Sequence, residues 1–354
     1  MRDIIEDVLR WTHQGKPVVV GTVIQTWGSA PRGVGAKIAF TPDYDVAGSV
    51  SGGCVEGAVI ESGLAALETG RPVLLRYGVA DETALENVGL ACGGTIEVFV
   101  EPLSESLIAH WQSLCESDCA GAVAYIVEGP SHWLGGRLAL VEGASEPRSL
   151  GLPTLPGEAA SVLASLAQRA LERGVSQRVK IDLVGEPCDI FVEVTLPRPR
   201  LIIIGAVHIA VALTAFAKTL GYHVTVVDPR SAFCTRARFP HADALVLEHP
   251  NAALASLPLT RNTAVVALTH DSKFDDPALK IALSSPAFYV GALGGARTRE
   301  TRRRRLLAAG LTEAQVNRLH APIGLDIRSR SPEEIALATI AQIVAVRNSA
   351  VPEA

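Results

Sequence analysis

The sequence predicts an α/β protein built in two parts, and three observations carry that prediction. Leu196-Pro-Arg-Pro-Arg200 is a proline-stiffened connector between two different patterns. After it, short apolar runs alternate with helical periodicity, as in a doubly wound parallel sheet. Before it, strands and helices are joined by Gly-rich turns, as in a mixed α/β domain. The expected domains are residues 1–196 and 197–354, in keeping with a 354-residue chain that exceeds the usual reach of one hydrophobic core.

In the first domain, residues 3–13 space their apolar side chains as an amphipathic helix, and Pro17-Val-Val-Val-Gly-Thr-Val-Ile24 is a β-branched strand. Gly28-Ser-Ala-Pro-Arg-Gly-Val-Gly35 holds too much Gly and Pro for regular structure, so it is a loop with Arg32 at its centre. Ala36 to Thr41 and Asp45 to Val50 are short strands, and Glu56 to Thr69 is a helix stopped by Gly70. Arg71–Tyr77 and Thr95–Glu101 are further strands. Beyond Pro102 a helix carries Cys115 and Cys119 at i and i+4, followed by strands at 122–127 and 137–141, a helix at 158–173 and a strand at 189–195.

In the second domain, Leu201-Ile-Ile-Ile204, a helix over 209–220, Gly221 and His223-Val-Thr-Val-Val-Asp228 make a βαβ unit, which is Rossmann-like. Later strands are expected near 244–247, 264–269 and 288–291. A dinucleotide fingerprint needs a glycine at the turn, a bare second position, a small third position and an acid about 20 residues on. Those positions are Gly205, Val207, Ala210 and Asp228. Val207 stands where pyrophosphate would pack on bare main chain, which argues against NAD(P). His208 opens the following helix, as a cap or as a ligand contact. Tyr289-Val-Gly-Ala-Leu-Gly-Gly-Ala-Arg297 places Gly294 and Arg297 at the carboxyl edge of a parallel sheet, where ligands of such sheets lie. Arg299 and Arg302 to Arg305 read as the solvated face of a helix. His270, Asp271 and Asp326 complete that edge; spacing does not choose between a general base and a polar pair.

Composition narrows the function classes. A net charge of −5 with 48% hydrophobic and 19% charged residues describes a folded globular protein and argues against a general nucleic-acid binder. Six cysteines in a long chain are too sparse for a secreted disulfide framework, so a cytoplasmic setting is expected. The first ten residues lack the pattern of a signal peptide, and no apolar run is long enough for a membrane span.

The chemistry concentrates in two turns, Gly48-Ser-Val-Ser-Gly-Gly-Cys-Val-Glu56 and Gly89-Leu-Ala-Cys-Gly-Gly-Thr95. A Gly-Gly pair beside a cysteine removes side-chain bulk and permits positive φ, letting amides face an anionic or oxygen-rich ligand next to the sulfur. Thiolate, not thiol, is the reactive and ligating form. Either turn alone is equally a tight turn round a buried structural cysteine; two in one half of the chain point to a site. The candidates are Cys54 and Cys92 as reactive or metal-contacting thiols, with Gly52, Gly53, Gly93 and Gly94 as bare backbone.

Taken together, the Gly28–Lys37 segment, the Gly48–Glu56 string, Cys92-Gly-Gly-Thr-Ile-Glu-Val98 and the run from Pro199 to Gly205 resemble the xanthine dehydrogenase accessory factor family, XdhC/CoxI. The likeness runs from residue 18 to about 345. Where the family reads Gly-x-Gly-His-Val-Ala, this chain has Gly205-Ala-Val-His-Ile-Ala210. The resemblance implies a cytoplasmic accessory chaperone rather than an enzyme. It would bind molybdenum cofactor, as molybdopterin or a dinucleotide form, support its sulfuration with a cysteine desulfurase, and insert it into an apo-molybdoenzyme of the xanthine dehydrogenase family. Arg32 and helix-terminal amides would suit the pterin phosphate, and a soft thiolate would suit molybdenum or sulfur. An NAD(P)-dependent oxidoreductase and a stand-alone thiol or sulfur-transfer enzyme are the alternatives. A homodimer is the base-rate assembly.

Overall fold

The computed structural model describes residues 1–78, 93–144, 146–151 and 155–349, and the chain divides into two compact units, Met1–Pro197 and Arg198–Ala354.

The first unit opens with α1 (Ile5–His13), which buries Ile5, Val8 and Trp11 along one stripe. Then come β1 (Val19–Trp27), β2 (Lys37–Phe40), β3 (Val46–Gly48), α2 (Glu56–Thr69), β4 (Val73–Tyr77) and β5 (Thr95–Pro102). Gly70 closes α2 in the left-handed conformation, at φ 65°. α3 (Glu105–Ser117) is capped by the Ser104 hydroxyl, which accepts the Leu107 amide. The unit continues through β6 (Gly121–Glu128), β7 (Arg137–Val141), β8 (Arg148–Ser149), α4 (Gly157–Arg173), β9 (Gln177–Leu183) and β10 (Glu186–Thr195). Asp118 ends α3 at φ 47°, so Cys119 lies beyond the helix and the expected i, i+4 pair with Cys115 does not form.

Two antiparallel sheets result, in strand orders β3-β2-β1-β5-β4 and β8-β7-β6-β10-β9. Their inner faces share one core: Val20, Ile24 and Phe99 from the first, Val123, Tyr125 and Phe191 from the second. α2 covers the far side of the first sheet, with Val59 among Val19, Val23, Ile38 and Val98. α4 covers the far side of the second, with Leu163 and Ala167 among Ala124, Ile126 and Ile190.

Charge is buried in the shared core as well. Lys37 is 1% exposed; its ammonium donates to Thr22 Oγ1 (2.8 Å) and Glu193 (3.0 Å) and lies 5.2 Å from the Trp111 ring. Arg137 pairs with Glu101 at 2.9 Å over the Tyr125 ring. Burial pushes the Glu101 carboxyl up, against the pull of Arg137.

The second unit runs β11 (Arg200–Ile204), α5 (His208–Thr219), β12 (His223–Val227), β13 (Ala244–Val246), α6 (Pro250–Ser256), β14 (Thr263–Ala267), α7 (Ser272–Ser284), β15 (Tyr289–Ala292), α8 (Ala296–Ala308), α9 (Glu313–Asn317), β16 (Leu319–His320) and α10 (Pro332–Ser349). All strand pairs are parallel, in the order β13-β12-β11-β14-β15-β16, a doubly wound sheet. α5 and α10 fill one face with Ala210, Leu213, Ala336 and Ile340; α6, α7 and α8 fill the other with Leu254, Leu279 and Leu306. The central strands β11, β12 and β14 are rich in β-branched residues and almost wholly buried, which is why they appear in the sequence as apolar runs.

Candidate functional site

The turn between β3 and α2 is built round a carboxylate that the motif pattern alone did not single out. Glu56, the first residue of α2, folds back so that its carboxylate accepts the amides of Val50 (3.2 Å), Ser51 (2.9 Å), Gly53 (2.9 Å) and Val55 (3.2 Å). The Ser49 hydroxyl donates to it at 2.6 Å, and the Ser51 hydroxyl donates to its second oxygen. Ser51 Oγ in turn accepts the amides of Cys54 and Val55, each at 3.0 Å. Burial opposes the charge, but the Ser49, Ser51 and backbone donors outweigh it and bring the Glu56 carboxyl down to about 2. The amides expected to face a ligand phosphate are therefore turned onto the chain's own anion.

What remains open is the thiol side. Gly52 and Gly53 have φ of 76° and 109°, and Cys54 is exposed and free. The loop that follows β1 comes close to this turn: a Cβ on Gly52 would lie 3.8 Å from Pro31 Cβ. The same loop meets the start of β5, where a Cβ on Gly94 would lie 2.3 Å from the Ser29 carbonyl oxygen, so only glycine fits. Gly93 has φ 74° and nothing within 4 Å of its Cβ position. Three of the Gly-rich motifs thus share one edge of the first sheet. Arg32, on the loop, has its guanidinium 3.5 Å from Asp3. Cys92 lies outside the described residues.

In the second unit, the turn after β11 is also closed by its own side chains. Gly205 sits at φ 102°, with Thr269 Cγ2 2.7 Å from where a Cβ would be. Asp228, 1% exposed, accepts the Ala206 amide at 2.8 Å and both Nε (2.9 Å) and Nη2 (2.7 Å) of Arg230. Burial works against the Asp228 charge, yet Arg230 and the amides of Arg230 and Ala206 hold its carboxyl below the usual carboxylate range. Arg238 donates to the Ala206 carbonyl at 2.8 Å. A ribose diol seeking Asp228 would have to displace Arg230, which adds a second obstacle to Val207. His208 is exposed, with Nε2 3.5 Å from Glu333.

Gly294 lies at φ 149° before α8, and a Cβ there would be 3.1 Å from Thr298. Arg297 is exposed on the first turn of the helix. Arg302 corrects the expected solvated face: it is 1% exposed and spans from Asp275 (3.2 Å) to the Leu293 carbonyl (3.1 Å). Asp275 also accepts the Thr269 hydroxyl at 2.6 Å, and burial pushes its carboxyl up. This chain of contacts ties the ends of β14 and β15 together. Asp271 serves as the α7 cap, accepting the Lys273 amide at 2.9 Å, with His270 at φ 62° before it. Asp326 accepts the Arg328 amide at 3.3 Å.

The remaining described cysteines offer less. Cys188 and Cys234 are buried, and burial raises both thiols; Cys115 and Cys119 are partly buried. Among the described residues no cluster of three or more His, Cys, Asp or Glu could hold a bare metal ion, and no helix is long and apolar enough to cross a membrane. Glu56 had one available signal in the sequence: an acid two residues after the Gly-Gly-Cys turn, at a helix start, is placed to satisfy that turn's amides.

Comparison with known proteins covers both units. Residues 11–78 match the sequence model of the XdhC and CoxI family, and residues 201–343 match that of the XdhC Rossmann domain. The chain is 29% identical over 332 residues to a probable xanthine dehydrogenase subunit of Bacillus subtilis (strain 168), covering 93% of each. It is 27% identical over 346 residues to the molybdenum cofactor insertion chaperone PaoD of Escherichia coli (strain K12), covering 98% of this chain and 88% of that one. A crystal structure described as a xanthine dehydrogenase from Bacillus halodurans superposes with a TM-score of 0.75 at 25% identity, over 98% of this chain and 96% of that one. With family models matching in both units and relatives aligned end to end, the chain belongs to the XdhC/CoxI family.

Proposed function

We propose that the protein is an accessory chaperone that binds molybdenum cofactor and inserts it into an apo-molybdoenzyme of the xanthine dehydrogenase kind. The observation that carries this reading is the exposed Cys54 thiol on a positive-φ glycine pair, at a sheet edge shared by the Gly28–Gly35 loop and Gly93–Gly94. The relative named as a cofactor insertion chaperone, matched nearly end to end, supports the same role. In this reading Cys54, with Cys92, offers a soft ligand to molybdenum or to its sulfur, and Gly52, Gly53, Gly93 and Gly94 leave room for the cofactor. Because Glu56 occupies the nearby amides, Arg32 is the cation of this edge left to meet a cofactor phosphate. Sulfuration would be served by a cysteine desulfurase, in the cytoplasm, and the assembly would be a homodimer. The protein would act by delivery, not turnover. In the second unit, His208, Gly294 and Arg297 would be the contacts for molybdopterin or for its dinucleotide form, Gly205 and Asp228 being taken up by Thr269 and Arg230.

The test is direct. Protein made alongside an active cofactor pathway should carry a pterin that fluoresces after oxidation, and Cys54→Ser should lower the activity recovered by an apo-molybdoenzyme. Absence of pterin, together with full delivery by Cys54→Ser, would overturn the reading.

A further inference from the structure

Gln25, Glu97 and Arg76 stand in register across three neighbouring strands: Gln25 pairs with Glu97 between β1 and β5, and Glu97 pairs with Arg76 between β5 and β4. Trp27 lies two residues beyond Gln25 on the same strand, hence on the same face. With Arg178 and Lys180 of β9 these side chains line a cavity of about 240 Å³. Trp27 is 42% exposed, and the Arg76 guanidinium lies 5.2 Å from its ring centroid. Glu97 is buried and pairs with Arg178 and, at 3.0 Å, with Arg76. Arg178 is further anchored to Asp189 at 2.6 Å. An indole left partly bare at a strand end, beside a fixed row of acceptor and donors, is uncommon for a side chain that normally buries its ring.

We propose that this groove binds a flat bicyclic ring bearing a 2-amino-4-oxopyrimidine edge, the edge that pterin and guanine share. The ring stacks on Trp27. The amino group donates to Glu97 Oε1, and the oxo group accepts from Arg76 or Gln25. Glu97 Oε2 is enclosed against Arg178, which leaves Oε1, beside Arg76, as the oxygen that meets a donor from the groove. The volume is below the roughly 300–1,000 Å³ of drug-sized sites and suits one bicyclic ring. Trp27 directly precedes Gly28, whose loop leads to the Cys54 turn, so the groove adjoins the proposed cofactor edge. The assignment rests on the chaperone reading for the identity of its ligand, though not for its chemistry.

The experiment titrates the purified full-length protein with pterin-6-carboxylate, GMP and AMP, following tryptophan emission. Trp11, Trp111 and Trp133 are buried, so Trp27 dominates any contact quenching. Pterin-6-carboxylate or GMP should quench, and the tighter of the two identifies which half of a cofactor the groove takes. Titration calorimetry, which needs no indole reporter, should show Trp27→Leu and Arg76→Gln each weakening binding roughly tenfold, the scale of a lost aromatic stack, with circular dichroism and Tm unchanged, and Trp27→Phe recovering most of it. No quenching, AMP binding as tightly as both others, or unchanged affinity in both variants would overturn the assignment. If pterin copurifies with wild-type protein at full yield in the variants, the groove fails and the chaperone reading survives. If no pterin copurifies but the titration behaves as expected, the chaperone reading fails and the groove survives.

Discussion

The turns at Gly205 and at Gly52-Gly53 pose the same physical problem and solve it to different degrees. Each joins a strand to a helix, and each turns amides of the connection onto a carboxylate of the chain, those of Val50, Ser51, Gly53 and Val55 onto Glu56 and that of Ala206 onto Asp228. Asp228 is sealed in, clamped by Arg230 and roofed by the Arg238 contact to Ala206. Glu56 satisfies its amides just as fully, yet leaves Cys54 facing solvent beside two glycines in conformations that disfavour side chains. Amides that already face a built-in anion are not offered to a phosphate. What separates the two is the side chain left outside, the Cys54 thiol at the first turn and the His208 imidazole at the second.

Variants can break or sharpen that contrast. The largest effect should come from Arg302→Ala, which leaves Asp275 buried and unpaired beside the second turn; urea unfolding should show a loss of about 3–5 kcal/mol. Gly205→Ala places a Cβ 2.7 Å from Thr269 in a left-handed conformation and should cost about 1–3 kcal/mol by the same assay. Glu56→Gln should cost about 1–3 kcal/mol at neutral pH by stranding amide donors, and the cost should depend on pH. Because the folded carboxyl titrates near 2 and the free one near 4.5, its contribution is complete above the free value and fades as acid is added through that interval. Wild type and Glu56→Gln should converge in stability at the acid end, and parallel curves would contradict the assignment. Cys54→Ser should change stability by less than about 0.5 kcal/mol while impairing cofactor delivery. Millimolar NAD or NADP should leave Tm unmoved, even after Val207→Gly restores the missing glycine, because Arg230 still occupies Asp228.

Most of the fold was legible in the sequence because its signals are local. The apolar central strands of the second unit, the glycine stops at Gly70 and Gly221, and the span of α2 follow from periodicity and backbone freedom. Short elements such as β8, β16 and α9 were not legible, since two to five residues carry too little pattern. Cys119 was misplaced because Asp118, not a glycine, ends α3. At the site, the Gly-Gly-Cys turn stood out, but the meeting of the three Gly-rich motifs depends on strand pairing across the first sheet. Arg302 was hidden among other arginines: four cations in a row, 302–305, conceal the one that turns inward, and its partner Asp275 lies 27 residues away.

Lys37 and Glu193 come from opposite layers of the first unit and meet where water is absent. Sliding one layer past the other by a single residue would strand an ammonium and a carboxylate in oil, at a cost of about 3–5 kcal/mol. The pair therefore acts as a dowel: it fixes one alignment of the layers, and with it the placement of every loop at their rim.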